Sequence, residues 1–357
     1  MRIAVVGVGL IGGSIALAAR ERLDAFVAGY DRADGALAEA QARGALDEIC
    51  PDVGAAVGGA EAVFVAVPVS ALTAVVGDVL RAASADCVVT DVGSTKRAVV
   101  SDHAADSRFV GGHPLAGAET AGVAYARADL FDGATWYLTP TASTSGLLYE
   151  RLYRLLRGLG ASPAAIEPTT HDTILATVSH LPHVLANVLV SQAARRLAEG
   201  DQRLPATGPS FRDATRVAGA PSDIWTDIYL SNRDALAAGL GDTIERLSSV
   251  RGALLAADSE SLTAWNEEAA ADRRRLLEAQ LVGGPLFELR TSVPNRPGVI
   301  AELALALGRA GVNITDMALY PAADMSDGVV ALWIAGEQAA ARTEELLVGL
   351  GLPVARA

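Results

Sequence analysis

Short apolar runs rich in β-branched residues alternate with longer amphipathic stretches over the first part of the chain. The runs Ile3–Val6, Phe26–Tyr30, Ala62–Val67, Cys87–Asp91, Phe109–Gly111 and Trp136–Leu138 predict strands, and helical patterns fill most of the gaps. Such alternation builds an α/β domain, a mostly parallel sheet with helices on both faces. After about Glu167 the β-branched runs stop. From His171 to Gln280 apolar residues recur at three- and four-residue spacing, as in Leu236, Leu240, Ile244, Leu247 and Leu254. This predicts an all-helical second domain, broken at Pro205–Pro209 and Gly219–Pro221. Gly283-Gly284-Pro285 reads as a hinge. Beyond it, strands near Phe287–Val293, Asn313–Tyr320, Val329–Ala335 and Leu352–Ala355 enclose helices near Val299–Ala310 and Ala339–Leu350. That order is a βαββαβ, ferredoxin-like unit. The expected domains are residues 1–167, 168–282 and 286–357.

Composition narrows the class. Of the 357 residues 51% are hydrophobic and 20% charged, ample for buried cores and too apolar for disorder. A net charge of −13 repels nucleic acid and anionic lipid and favours a small soluble partner. Cys50 and Cys87 are too few for a disulfide framework and lack metal-ligand spacing; as free thiols they fit a reducing cytoplasm. The first strand pattern opens at Arg2, leaving no room for a signal peptide, and the apolar run Val184–Val190 is too short to span a bilayer.

Gly7-Val8-Gly9-Leu10-Ile11-Gly12 follows the first strand directly and opens a helix. In a Rossmann-type dinucleotide-binding domain Gly7 permits the tight turn, Gly9 lets backbone approach a pyrophosphate, and Gly12 lets helix and strand pack closely. The helix N-terminus, with Leu10 and Ile11, faces the phosphates with unpaired N–H groups. Asp31 ends the second strand, nineteen residues past Gly12. A carboxylate there accepts from the ribose hydroxyls and repels a 2′-phosphate, so NAD is the expected cofactor. Arg32 beside it and Val67 at the end of the third strand complete the expected cofactor residues.

Two further motifs stand at strand ends, Asp91-Val92-Gly93-Ser94-Thr95-Lys96 and Gly111-Gly112-His113-Pro114-Leu115-Ala116-Gly117. Open α/β sheets bind ligands outside the carboxyl ends of their strands, which brings Ser94 and His113 toward the reacting end of the cofactor. Three other histidines, His171, His180 and His183, cluster in the helical domain. His180 and His183 share a helical face, but no carboxylate is placed as a third ligand, so no metal is expected. Arg212 and Arg216 share a face at i,i+4 spacing in Phe211-Arg212-Asp213-Ala214-Thr215-Arg216. A guanidinium fork of this kind suits a substrate carboxylate.

The glycine turn, DVGSTK, GHPLAGAE, VSHLPH, FRDATRVAG and the SDIWTDI run Ser222–Ile228 occur in that order over roughly residues 1–280. Together they resemble the prephenate/arogenate dehydrogenase family. The tail, with Asn295-Arg296-Pro297-Gly298 and Gly311-Val312-Asn313-Ile314, resembles an ACT domain, a regulatory module that binds small ligands, often amino acids. The resemblance implies NAD-dependent oxidative decarboxylation of prephenate in tyrosine biosynthesis, and a homodimer built through the helical domain. It implies that His113 is the catalytic histidine at the substrate hydroxyl and that Ser94 orients it and touches that hydroxyl. Arg216 would hold a substrate carboxylate, His183 would line the substrate pocket with His180 beside it, and Glu119 would face the pocket. Asp213 and Trp225 would support the arginine. A base of pKa near neutrality suits the task. Asn295, Pro297, Gly298, Asn313 and Ile314 are the expected ligand residues of the tail, with tyrosine as the expected effector. No segment is spare for a fused chorismate mutase.

Other readings compete. A hydroxy-acid dehydrogenase of the same plan needs a lysine in the helical domain, and no lysine occurs from Arg97 onward. A non-catalytic nucleotide and amino-acid sensor would not need Ser94, His113 and Arg216 together. Arogenate or an amino-substituted prephenate remains an alternative substrate. His183, rather than an added acid, favours prephenate.

Overall fold

The structure is a computed structural model and describes residues 1–117, 120–198, 208–278, 286–294, 296–322 and 327–356. The first part contains strands β1 (Arg2–Val6), β2 (Phe26–Tyr30), β3 (Glu48–Ile49), β4 (Ala62–Val65), β5 (Val88–Asp91), β6 (Phe109–Pro114), β7 (Thr135–Thr139) and β8 (Ser162–Ala165). Its helices are α1 (Leu10–Leu23), α2 (Asp34–Ala42), α3 (Val53–Val57), α4 (Val69–Ala82), α5 (Arg97–His103) and α6 (Gly146–Gly158). The strands form one sheet in the order β3-β2-β1-β4-β5-β6-β7-β8. All neighbours pair in parallel except β6 and β7, which pair antiparallel from Gly111↔Thr139 to Pro114↔Trp136. The chain order reverses at β1, between β2 and β4, which is where such sheets open a ligand crevice.

The strands form where the sequence places continuous apolar runs, because a parallel sheet is covered on both faces. Every residue of β4 and β5 is buried. Helix α4 turns Leu72, Val76, Val79 and Leu80 to one side, against a core of Val63, Val65 and Val89. Two strands escaped the sequence pattern. β3 has only two residues, and β8 reads Ser-Pro-Ala-Ala, with little β-propensity. Both lie at sheet edges, where a proline is tolerated and burial on two faces is not required. β6 runs further than expected, through His113, because the antiparallel partner β7 extends the pairing.

From Pro168 the chain is helical: α7 (Pro168–Leu175), α8 (Leu181–Ala198), α9 (Pro209–Thr215), α10 (Ser222–Ser231), α11 (Arg233–Leu255) and α12 (Ser259–Glu278). The expected break at Gly219–Pro221 separates α9 from α10. Residues 205–207 and the Gly283–Pro285 hinge lie outside the described residues. A π-helical turn, Ala176–His180, joins α7 to α8 without a break. The resulting helix, Pro168–Arg196, has 29 residues and is long and apolar enough to cross a bilayer by length and composition. This corrects the expectation drawn from Val184–Val190, which treated the apolar run as isolated. The same helix carries His171, Asp172 and His180, all buried against the rest of the chain.

The tail folds as β9 (Leu286–Pro294), α13 (Val299–Arg309), β10 (Ile314–Pro321), β11 (Asp327–Ala335), α14 (Glu337–Gly349) and β12 (Val354–Arg356). This is the expected βαββαβ order. Its antiparallel sheet runs β10-β11-β9-β12. The tail does not stand apart. Leu289, Ile300, Leu303 and Leu307 belong to the same apolar core as Leu148, Leu152 and Tyr153 of α6. Gly298 N–H donates to Thr144 O at 3.0 Å, and Tyr153 OH donates to Ile314 O at 3.1 Å.

Candidate active site

The nucleotide crevice follows from three glycines. Gly7 has φ +95°, and a Cβ there would stand 2.4 Å from Ala66 O; a Cβ on Gly12 would stand 2.0 Å from Gly7 O. Neither position admits a side chain. A Cβ on Gly9 would meet nothing within 4 Å, so the backbone is bare where a pyrophosphate would approach. Gly9 caps α1, whose first residues are Leu10 and Ile11. Asp31 is held from below: its Oδ2 accepts from Val8 N–H at 2.7 Å and its Oδ1 from Ala33 N–H at 2.8 Å. A cavity of about 270 Å³ beside it is lined by Gly7, Asp31, Arg32, Val67, Pro68 and their neighbours. Leu10 and Ile11 are half-buried at the helix start and lie outside that wall. The bare Gly9, the open helix end and the fixed carboxylate fit NAD.

A larger cavity, about 600 Å³, lies between the end of β6 and the helical part. His113, His183, Arg216 and Trp225 all line it, with Leu175, Val178, Ser179 and Ile224. His183 stacks on Trp225, ring centroids 3.4 Å apart and planes 26° from parallel. Four of the residues singled out from the sequence therefore share one wall. Others do not. His180 is 1% exposed, accepts from Asn232 Nδ2 at 3.2 Å and meets Trp225 edge-on, so it supports the wall from behind instead of binding at the cavity. The π-helical turn ends at His180, whose ring is buried, while His183 one turn on lines the cavity. Asp213 is exposed on α9 and outside the cavity wall. Glu119 lies outside the described residues.

Behind His113 runs a chain of polar contacts. His113 Nδ1 meets His171 Nε2 at 2.9 Å, and His171 Nδ1 meets Asp172 Oδ1 at 2.8 Å. Asp172 can only accept, which places a proton on His171 Nδ1 and makes His171 Nε2 an acceptor in turn. His113 then carries its proton on Nδ1 and keeps its lone pair on Nε2, the nitrogen left for the cavity. His171 thus helps to orient the His113 ring, a support that had no role in the sequence reading. Ser94 is half-buried on the turn after β5. Asp172 also accepts main-chain N–H groups of Lys96 (2.7 Å) and Arg97 (2.9 Å), which bind the first residues of α5 to α7.

These groups have shifted acidities. His113 is held well below the ordinary imidazole range by burial first, then by His171, Lys96 and His180. This differs from the near-neutral value expected; the cause is a site more enclosed than a strand-end position suggests. Burial also lowers His171, against the opposing hydrogen bond to Asp172, and lowers His180 to about 4. Burial alone would raise Asp172, but hydrogen bonds from His171, Arg97 and Lys96 hold it below the usual carboxylate range. At neutral pH the arrangement is a neutral imidazole with a free lone pair, backed by a carboxylate. It can accept a proton from a hydroxyl in the cavity. Among the described residues no three His, Cys, Asp or Glu side chains converge as a metal site.

Comparison with known families bears on this geometry. The model described as "Prephenate dehydrogenase, nucleotide-binding domain" matches residues 15–164, and "Prephenate dehydrogenase, dimerization domain" matches residues 167–268. The chain belongs to the prephenate dehydrogenase family. A prephenate dehydrogenase of Bacillus subtilis is 32% identical over 354 residues, covering 97% of this chain and 95% of its own length. A crystal structure of prephenate dehydrogenase from Aquifex aeolicus, in complex with hydroxyphenyl propionate and NAD+, has 29% identity and a TM-score of 0.72. It covers 77% of this chain and 98% of its own. Synechocystis arogenate dehydrogenase has 28% identity and a TM-score of 0.68, with coverage of 77% and 100%. This family member therefore carries an oxidoreductase core like the last two, and a length like the first. His171, Asp172 and Lys96 were not given roles from the sequence. The signal was present, a His-Asp dipeptide opening a helix and a lysine closing the DVGSTK motif, but its partner only appears in three dimensions. The tail residues named from the sequence divide. Pro297 lines a cavity of about 250 Å³ between the tail and Ser145–Leu147 of the first part. Asn313 and Ile314 stand outside that cavity, and Asn295 is outside the described residues.

Proposed function

We propose that this chain oxidises and decarboxylates prephenate to 4-hydroxyphenylpyruvate with NAD, in tyrosine biosynthesis. The observation that carries the reading is the single cavity walled by His113, His183, Arg216 and Trp225, with His113 backed by His171 and Asp172. NAD, when bound, supplies the hydride acceptor. As hydride leaves C4 the hydroxyl proton becomes strongly acidic, so even a weakly basic imidazole takes it on Nε2. This is why a depressed pKa is compatible with the role. The C1–carboxylate bond then breaks, and its electron pair aromatises the ring toward the oxygen. The resulting phenolate recovers the proton from His113. Ser94, by the family resemblance, touches the same hydroxyl. Arg216 holds a carboxylate, with Asp213 nearby in sequence; Glu119, assigned to the pocket by the family resemblance, lies outside the described residues.

Arogenate differs from prephenate by an ammonium in place of a ketone. Among the described residues lining the cavity none is a carboxylate that would pair with it, which favours prephenate. Parallel kcat/KM measurements of NADH formation with prephenate and arogenate test this directly. Equal or better turnover of arogenate would reverse the preference, and no NADH from either would remove the reading.

The three segments 1–167, 168–282 and 286–357 serve as cofactor-binding, dimerisation and regulatory domains of a cytoplasmic homodimer. The exposed apolar residues of α11 support the dimer, and the βαββαβ order supports an ACT module responding to tyrosine. Pro297 and Gly298 would meet the effector from one copy, Asn313 and Ile314 from the other. Truncating after Gln280 would uncover α6, so Asn313→Ala is the sharper test. Tyrosine should inhibit the full chain, and the variant should lose that inhibition while keeping kcat. Unchanged inhibition would move the sensor elsewhere.

A further inference from the structure

Of the 29 lysine and arginine residues in the chain, Lys96 is the only lysine, and it is fully buried. Everywhere else an arginine serves. The site explains the exception. Lys96 packs beside two glycines: a Cβ on Gly93 would stand 3.6 Å from Nζ, and one on Gly111 3.4 Å from Cδ, both at ordinary contact distance. In a fully buried position a compact ammonium and a planar, five-donor guanidinium are not interchangeable.

Lys96 contacts Asp172 at one end of the polar chain behind the cavity and, at the other, the residue that precedes His113. Nζ contacts Asp91 Oδ2 and donates to Gly112 O at 2.8 Å. Asp91 Oδ1 in turn accepts from Gly112 N–H at 3.1 Å. The Asp91–Lys96 pair therefore grips both polar atoms of the residue immediately before His113. At the other end the main-chain N–H of Lys96 donates to Asp172 Oδ1, the same oxygen that receives His171. One residue spans β5, β6 and α7.

We propose that Lys96 is a positioning residue for the oxidation step, a clamp that fixes His113 from the strand side and the His171–Asp172 pair from the helix side. The proposal rests on reading His113 as the proton acceptor. A buried ion pair is weak evidence for stability, since apolar residues of like volume often do as well. What this pair provides is the fixed direction of the His113 ring. The charged and titratable groups around His113 are Asp91 on β5, Lys96 before α5, His171 and Asp172 on α7, and His180 in the π-helical turn. Tyr137 on β7 meets His171 edge-on. Burial lowers the pKa of the Lys96 ammonium, against the opposing pull of Asp91; as the cation of this set it opposes protonation of both His113 and His171.

The test uses the intact protein. Lys96→Met keeps the length of the side chain and removes the clamp. Displacement of a reacting group by about 1 Å costs on the order of 10²-fold, so kcat should fall about 10²-fold while NAD affinity holds. The acid limb of kcat/KM should also move to higher pH, because a cation that opposes imidazole protonation is gone. Asp91→Asn/Lys96→Met removes both charges and should be equally slow, which separates lost positioning from an orphaned carboxylate. Wild-type protein labelled with lysine-15Nζ gives a single side-chain signal. That signal should shift with the same midpoint as the acid limb, and this measurement stands even if the variants fail to fold. A kcat within about threefold of wild type with an unmoved acid limb, or a 15Nζ signal flat across that limb, would overturn the proposal. His113→Asn separates the two readings: if it is slow while Lys96→Met is normal, only the clamp fails, and if it is normal, the reading of His113 fails first.

Discussion

His113 and Arg216 face one cavity from supports of opposite kind. His113 sits on β6, where every residue is buried, and its ring is fixed by His171, Asp172 and the gripped Gly112. Arg216 lies just after α9, exposed, in a part of the molecule that buries little of itself. Helix α11 has 23 residues, yet Leu236 is its one buried side chain, while Ile244, Leu247, Leu254 and Leu255 are 59–74% exposed. The sheet side completes its own core. The helical side presents an apolar face that a monomer leaves in water, as a family dimerisation domain would. The difference suggests a division of labour: proton transfer needs sub-ångström placement and sits in the rigid part. Holding a carboxylate tolerates more freedom, because a charge-assisted fork still pairs when its backbone moves.

The largest expected effect breaks the rigid side. His113→Asn should lower kcat by about 10²–10⁴-fold, the usual worth of a positioned base, with NAD affinity unchanged. Steady-state NADH absorbance reads it, and a near-normal kcat would remove His113 from the chemistry. The next variant attacks the helical side. Leu247→Asp with Leu254→Asp should convert dimer to monomer in sedimentation velocity; an unchanged dimer would show that α11 is not the interface. Arg216→Ala should then raise KM for prephenate roughly 10–100-fold with a smaller change in kcat, as loss of a charge-assisted contact implies. If Arg212→Ala does so instead, the neighbouring turn of the helix carries the clamp.

Two smaller effects sharpen the comparison. Asp31→Ser should improve NADP relative to NAD by about tenfold, since it removes a ribose acceptor and a charge that repels the 2′-phosphate. An unchanged ratio would place the ribose elsewhere. The last concerns acid stability. His113, His171 and His180 are all lowered in the folded chain, His180 to about 4. Below the ordinary imidazole value of about 6.5 the unfolded chain binds protons that the folded chain refuses. Stability is therefore full above that pH and is lost as pH falls toward 4. His180→Phe should flatten this dependence by its own share, and a Tm profile as steep as wild type between pH 6.5 and 4 would show that His180 is protonated in the fold.

The sequence by itself determined the architecture wherever burial on two faces demanded continuous apolar runs, as in β1, β4 and β5, and wherever helical periodicity was long. It also determined the nucleotide turn, because Gly12 is forced by Gly7 O within the same turn and Gly7 by its positive φ, and such local requirements leave a local signature. It named His113, His183, Arg216 and Trp225, which the fold brings to one cavity. It did not determine what stands behind them. His171, Asp172 and Lys96 are separated by up to 76 residues and meet only when α7 packs against the start of α5. Nothing in local spacing encodes that. His180 and His183 looked equivalent at i,i+3 until packing put one behind the wall and the other in it. The pKa of His113 was likewise decided by enclosure, since desolvation depends on everything packed around a ring and on nothing in its sequence neighbours alone.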